Sequence, residues 1–362
     1  MLKSFASDNN SGVHAEVLRA IANANSGHFV GYGDDPYTEE AKRLFRGIFG
    51  EDTETFFVLT GTGANVTALQ AYTDRFNAII CTSNSHINVD ECGAPEHSLG
   101  AKLLTVDTPD GKLTTRHIEK FLHFKGDQHH VQPKVVSITQ TTELGTLYTI
   151  EELKGIVNFA HKNGLKVHMD GARIANAAVS MGCTLREMTT DIGIDVLSFG
   201  GTKNGMMLGE AVVFFDKRDT EHYPFIRKQN MQLVSKMRFT SAQFIPYLQN
   251  NLWHQNAKQA NDMAQYLYQR LLSVVPEIIT TKPEANALFV KLPKNIAEQM
   301  QKERFFYTWD EDICQCEAAG KQCIYRFMTS FDMTERDIDD FVDFVFGSLE
   351  GQEVVETSNE SH

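Results

Sequence analysis

Long hydrophobic runs are missing from this sequence. No uncharged apolar stretch among its 362 residues approaches the roughly 20 residues that span a bilayer. No membrane partner is therefore expected. Positive charge is scarce: 34 Lys and Arg face 47 Asp and Glu, a net charge of −13. Nucleic acids and anionic membranes are themselves polyanions, so neither is expected as an electrostatic partner. Cysteine is sparse, with Cys81, Cys92, Cys183, Cys314, Cys316 and Cys323. That is too few for a disulfide framework in a chain this long. Cys314, Cys316 and Cys323 cluster, but their spacing matches no zinc pattern and no second ligand pair lies near. No metal is expected, and reduced thiols are. His129 and His130 fall in a polar loop and receive no role. Gly-x-Gly-x-x-Gly is absent, which removes the dinucleotide fingerprint. The first residues, Met1 to Phe5, lead straight into polar ones and lack the apolar core of a signal peptide. A cytoplasmic location is the expectation.

What is present fits an ordinary globular protein, 42% hydrophobic and 22% charged. The length suits about two domains. In the middle of the chain, short apolar runs alternate with helical patterns. Phe56–Leu59, Ala78–Cys81, Lys102–Val106, Lys134–Ile138, Leu165–Met169, Val196–Phe199 and Gly209–Phe215 read as strands. Ala64–Thr73 reads as a helix. Thr149 and Glu152 form a capping box that opens another, ending at Asn163-Gly164. Strand–helix–strand alternation implies an α/β fold, a mainly parallel sheet with helices on both faces. In such sheets ligands sit beyond the carboxyl ends of the strands. After Thr240 the pattern changes to a long helix from Ala257 to Val274, strands at Ala287–Leu292 and Gln322–Met328, and a helix from Thr334 to Leu349. This reads as a smaller C-terminal α+β domain. The expected division is an N-terminal segment 1–30, a large domain 31–245, a small domain 246–349 and a disordered acidic tail 350–362.

Four segments after strands can carry chemistry. Thr60-Gly61-Thr62-Gly63 is a Gly-rich turn into a helix, where free amides and the helix dipole suit a phosphate; a plain turn is the bland alternative. Asp170, in His168-Met169-Asp170-Gly171-Ala172-Arg173, can hold a protonated pyridine nitrogen; a helix N-cap is the equal alternative. Lys203 sits in Gly200-Gly201-Thr202-Lys203-Asn204-Gly205 between two apolar strands. Shielding there would suit a Schiff-base amine, against a solvated turn lysine. His86, in Asn84-Ser85-His86, can stack on a ring or act as a base; by itself a surface or cap role is the simpler reading.

The order and spacing of these segments resemble the fold-type-I pyridoxal-phosphate enzymes. Ser7-Asp8-Asn9, Tyr32-Gly33-Asp34-Asp35, Ser85-His86-Ile87, Asp170-Gly171-Ala172-Arg173 and Ser198 to Gly205 look like the threonine aldolase signature. The resemblance runs from about Ser7 to about Val345. It implies pyridoxal 5′-phosphate as cofactor, bound to Lys203 as a Schiff base, and retro-aldol cleavage of a β-hydroxy amino acid to glycine and an aldehyde. It implies Asp170 at the pyridine nitrogen, Arg173 beside the ring oxygen, His86 over the ring, and Gly61, Thr62 and Gly63 on the phosphate. Ser7 and Arg326 would grip the substrate carboxylate. Tyr32 and Arg238 would reach a neighbouring subunit's site in a homodimer or homotetramer. His86 is the first candidate for the base and Glu143 the second. Many members carry a histidine in the loop after the fourth strand, where this chain has Thr142. A β-eliminating lyase acting on aromatic amino acids and a non-catalytic cofactor- or amino-acid-binding protein are the competing readings.

Overall fold

The computed structural model describes residues 2–309 and 322–359, those from 351 onward as backbone alone. It divides into two units. Val13–His254 form one; Met1–Gly12 and Gln255–His362 form the other. The first twelve residues thus group with the C-terminal unit and not with a separate segment 1–30, and the boundary falls at residue 254 and not at 245. Sequence periodicity reports local structure, so a pairing between chain ends escapes it.

The larger unit is built on seven strands: β1 (Glu54–Val58), β2 (Asn77–Thr82), β3 (Lys102–Val106), β4 (Gln132–Thr139), β5 (Lys166–Gly171), β6 (Val196–Phe199) and β7 (Glu210–Phe214). Their order is β1-β7-β6-β5-β4-β2-β3. β3, β2, β4, β5 and β6 run parallel. β7 is antiparallel to both β6 and β1. The short bend from Gly200 to Gly209 is too brief for a crossover helix, so the chain must turn straight back.

Alternation along β1 sends Phe56 and Val58 to one face and Phe57 to the other. On the first face they pack with Ala64 and Ala68 of the helix Gly61–Gln70. On the second, Phe57 meets Phe45 of the helix Pro36–Phe49, and Phe244 of the helix Arg238–Leu248. Phe199 from β6 joins the same ring cluster. Helices therefore cover both faces, as the alternation predicts. Each fully buried ring contributes roughly 1.5–3 kcal/mol.

The capping box at Thr149 and Glu152 is present and opens the helix Ile150–Lys162. Among the described residues no helix is long and apolar enough to cross a membrane.

The centre of the sheet holds one buried histidine. His168 on β5 lies 2.9 Å from the Ser137 hydroxyl on β4 and 2.9 Å from the Ser198 hydroxyl on β6. Burial pulls its pKa down to about 4. The unfolded chain keeps the ordinary value of roughly 6.5, so between these limits the unfolded state binds more protons and stability rises with pH. Lowering the pH from about 6.5 towards about 4 is expected to remove up to about 3 kcal/mol of unfolding free energy from this one group. Urea melts across that range check it, with His168→Gln flattening the slope.

The smaller unit carries an antiparallel sheet, β8 (Ala287–Pro293), β10 (Gln322–Met328) and β9 (Tyr307–Thr308) in that spatial order. Leu288, Val290, Phe327 and Phe341 form its core, with Phe5 stacked on Phe341 at 3.8 Å between centroids. The terminal helix runs Glu335–Asn359. It continues past residue 350, where composition predicts a disordered tail. Adding residues to an existing helix is far easier than nucleating one, and no proline interrupts this segment. Cys314 and Cys316 lie outside the described residues. Cys323 is buried on β10.

Candidate active site

Asp170, His86, Lys203 and the Gly61–Gly63 turn all lie in the larger unit, just at or after strand ends. Parallel pairing sets Asp170 on β5 beside Ser198 on β6 and Thr139 on β4. The Asp170 carboxylate is buried and fixed at both oxygens. The Ala172 N–H donates to Oδ1 at 3.0 Å, and the Asn65 amide donates to Oδ2 at 2.8 Å. The helix Ile174–Met181 has Arg173 at its N-cap position. Asp170 is therefore a strand-end carboxylate and not the N-cap of that helix. Arg173 itself is buried.

The helix Gly61–Gln70 begins at Thr60, whose hydroxyl accepts the Gly63 N–H at 3.0 Å. The Gly61 and Thr62 amides make no hydrogen bond among the described residues. Unpaired amides at a helix start suit an anion. Gly63 is packed from the side: a Cβ there would fall 2.4 Å from the Gln232 side-chain amide.

Lys203 lies in the 3-10 turn Thr202–Asn204. It is half-buried, less sheltered than its apolar flanks predict. Those flanks belong to β6 and β7, and the bend projects from the end of the sheet. A buried acid also stands at the bend, Glu210, at the start of β7. Its carboxylate accepts the Gly201 N–H at 2.6 Å. Burial pushes the Glu210 carboxyl up, while Gly201, Thr202 and the Lys203 charge oppose that shift. Asn204 ties the other side of the turn, donating to Tyr247 Oη at 2.7 Å and to the Trp253 carbonyl at 2.8 Å. Gly200 explains how close the Asp170 loop and the lysine bend come. A Cβ there would sit 2.3 Å from the Ala172 carbonyl oxygen, and the Gly200 N–H donates to the Gly171 carbonyl at 3.0 Å. Only glycine permits that backbone approach.

His86 opens the short helix His86–Val89. Its Nδ1 lies 2.8 Å from Glu91 Oε1. That hydrogen bond raises the His86 pKa; burial opposes it, and the nearby charges of Asp170, Glu143 and Glu91 reinforce it. Glu143 thus faces His86 as a charge, without a hydrogen bond to it among the described residues. Thr142 is committed elsewhere, its hydroxyl 2.7 Å from that of Thr146.

Sequence reasoning missed Asn65, Glu91 and Glu210. Asn65 reads as one more helical residue, and Glu91 as one more surface acid. The signal available for Glu210 was an acid inside an apolar run, Gly209-Glu210-Ala211-Val212-Val213.

The remaining assigned residues fall in two other places. In the smaller unit, Ser7 caps the turn Asp8–Asn10, and its hydroxyl accepts the Asn9 N–H at 3.2 Å. Arg326 on β10 reaches the Ala6 carbonyl at 3.5 Å and lies over the Trp309 ring at 4.4 Å. Ala6 and Arg326, 320 residues apart in sequence, are thus brought together. Tyr32 and Arg238 make no hydrogen bond to His86, Asp170 or Lys203 among the described residues. Tyr32 is exposed, held in a left-handed conformation with φ 63°. Arg238 stacks on Phe29 and lines a cavity of about 340 Å³ with His28, Phe29 and Ser235.

A family model described as beta-eliminating lyase matches residues 4–295. The chain belongs to the beta-eliminating lyase family. It is 43% identical over 310 residues to a low specificity L-threonine aldolase from Pseudomonas sp. (strain NCIMB 10558), covering 85% of this chain and 89% of that one. A second low specificity L-threonine aldolase, from Pseudomonas aeruginosa, is 42% identical, covering 86% and 94%. Among solved structures, the threonine aldolase of Leishmania major superposes with a TM-score of 0.88 at 31% identity, covering 96% of this chain and 99% of that chain. The architecture is that of the fold-type-I pyridoxal-phosphate enzymes, as the order of turns, carboxylate and lysine implies.

Proposed function

We propose that this protein is a pyridoxal-phosphate-dependent aldehyde-lyase that cleaves L-threonine, L-allo-threonine or related β-hydroxy amino acids to glycine and an aldehyde. The observation that carries it is one juxtaposition. Asp170, braced at both oxygens, lies on the strand beside the one that leads into the Lys203 bend, with the backbones in contact at Gly200. The two Pseudomonas relatives bear the name of this activity over most of their length.

The residues fit pyridoxal 5′-phosphate by their chemistry. The open amides of Gly61 and Thr62, with Gly63, take the phosphate dianion. The Asp170 anion would hold the protonated ring nitrogen and Arg173 the ring oxygen. His86 would lie over the ring. Lys203 supplies the amine that an aldehyde requires. When bound, the cofactor supplies an electron-poor ring that accepts the electrons of the breaking carbon–carbon bond. Ser7 and Arg326 take the substrate carboxylate, Arg326 through paired hydrogen bonds. They fix which bond to the α carbon is broken. His86, directly or through a water, accepts the β-hydroxyl proton. The Cα–Cβ bond breaks, the β carbon leaves as an aldehyde, and a proton returns to the α carbon. Glu143 is the second candidate for the base. The loop from Gln140 to Thr146 holds no histidine to serve instead.

Tyr32 and Arg238 act on a second copy of the chain, in a homodimer or homotetramer. The exposure of Tyr32, Phe29, Val30 and Phe225 supports an interface there. A cytoplasmic location suits an acidic chain with few cysteines.

Product analysis with a panel of β-hydroxy amino acids tests the reading. Threonine should give equimolar glycine and acetaldehyde. Pyruvate and ammonia from tyrosine, without glycine from threonine, would establish the β-eliminating lyase instead. Bound cofactor with no product from any substrate would leave a binding protein.

A further inference from the structure

His86 stands in a polar chain that runs through three elements. Glu91, just past its short helix, has a fully buried side chain. Glu91 Oε1 lies 2.8 Å from His86 Nδ1 and 2.8 Å from the Asn65 side-chain nitrogen. The same nitrogen donates to Asp170 Oδ2 at 2.8 Å. The ligand atoms of His86, Glu91 and Asp170 all lie within 4.8 Å of one another. Asn65 belongs to the helix Gly61–Gln70, whose Gly61 and Thr62 amides make no hydrogen bond among the described residues.

The chain fixes its own protons. Both neighbours of the Asn65 side chain are carboxylates, which only accept hydrogen bonds when ionised. The amide must therefore present its NH₂ to both, and the orientation of Asn65 is forced. Glu91 Oε1 is then an acceptor on the side of His86 as well. An acceptor against Nδ1 requires the hydrogen on Nδ1. In the neutral imidazole that leaves the lone pair on Nε2.

We infer that Glu91, held in place by Asn65, is a positioning residue: it fixes His86 as the Nδ1–H tautomer and makes Nε2 the nitrogen that takes a proton. The charged groups facing His86 are Glu91, Asp170 and Glu143, all acids. Each favours the imidazolium, so Nε2 is a stronger base than in free histidine. Because one amide holds both Asp170 and Glu91, a single side chain sets the Asp170 carboxylate and, through Glu91, the His86 ring. The kinetic consequence rests on the proposed role of His86 as base; the tautomer does not.

The test is ring ¹⁵N NMR of the full-length holoenzyme labelled in histidine, with His86→Phe assigning the signal. In the unaltered protein, neutral His86 should carry its hydrogen on Nδ1 and titrate above the roughly 6.5 of a free imidazole. Glu91→Gln, nearly the same in shape but uncharged, should lower that midpoint by about one unit or more. The acid limb of kcat/KM should move down with it, and kcat should fall. A neutral His86 with its hydrogen on Nε2, or an unchanged midpoint in Glu91→Gln, overturns the inference. A midpoint that moves while the acid limb stays put supports the Glu91 role and refutes His86 as the base. If Glu91→Gln does not fold, the tautomer measured in the unaltered protein decides alone.

Discussion

Lys203→Ala should yield a folded protein that lacks the yellow colour of lysine-bound pyridoxal phosphate and cleaves threonine several orders of magnitude more slowly. The reason is chemical. Lys203 would supply the amine that holds the cofactor's aldehyde, and no other lysine occupies the bend. The fold should survive, because Lys203 is half-buried and the turn is tied by its neighbours. Glu210 holds Gly201, and Asn204 holds Tyr247 and Trp253. Absorbance after cofactor addition, with circular dichroism as the folding control, checks the prediction. A variant that stays yellow and active would place the attachment elsewhere and end the aldolase reading in its present form.

The second large effect is expected at Arg326. Arg326→Ala should raise KM for threonine by roughly 30-fold or more, corresponding to at least about 2 kcal/mol for a truncated buried charge pair. The cofactor spectrum should be unchanged, since no assigned cofactor contact is lost. Arg326→Lys should recover only part of the affinity, because an ammonium keeps the charge but not the two-pronged geometry. Steady-state kinetics on the three forms separate these outcomes, and an unchanged KM in Arg326→Ala would refute the carboxylate role. Arg326 also stacks on Trp309 and reaches the Ala6 carbonyl. Thermal melts therefore belong with the kinetics, because a lost β10 contact would show as a lower Tm.

The two experiments probe different units of the chain. Lys203 belongs to Val13–His254, whereas Arg326 and Ser7 belong to the unit formed by residues 1–12 and 255–362. The contrast in readout is useful for that reason. One variant should lose the cofactor signal and the other should keep it.

The sequence by itself determined the strands, the helices between them and the polar turn that follows each strand. Apolar runs bounded by glycine and capping residues are local signals, and they placed Asp170, Lys203 and the Gly61–Gly63 turn at strand ends without any knowledge of contacts. The tertiary structure alone decided which turns meet. Asn65 and Asp170 are 105 residues apart, and Arg326 and Ala6 are 320 apart, separations at which periodicity carries no information. It also decided that β7 runs antiparallel, that Glu210 is the buried acid behind the lysine bend, and that Glu91 turns inward to His86. An isolated acid in a sequence reads as solvated, because burying a charge is costly without a partner. Only the folded chain, by supplying Asn65 and His86 on one side and Gly201 on the other, makes those two burials affordable.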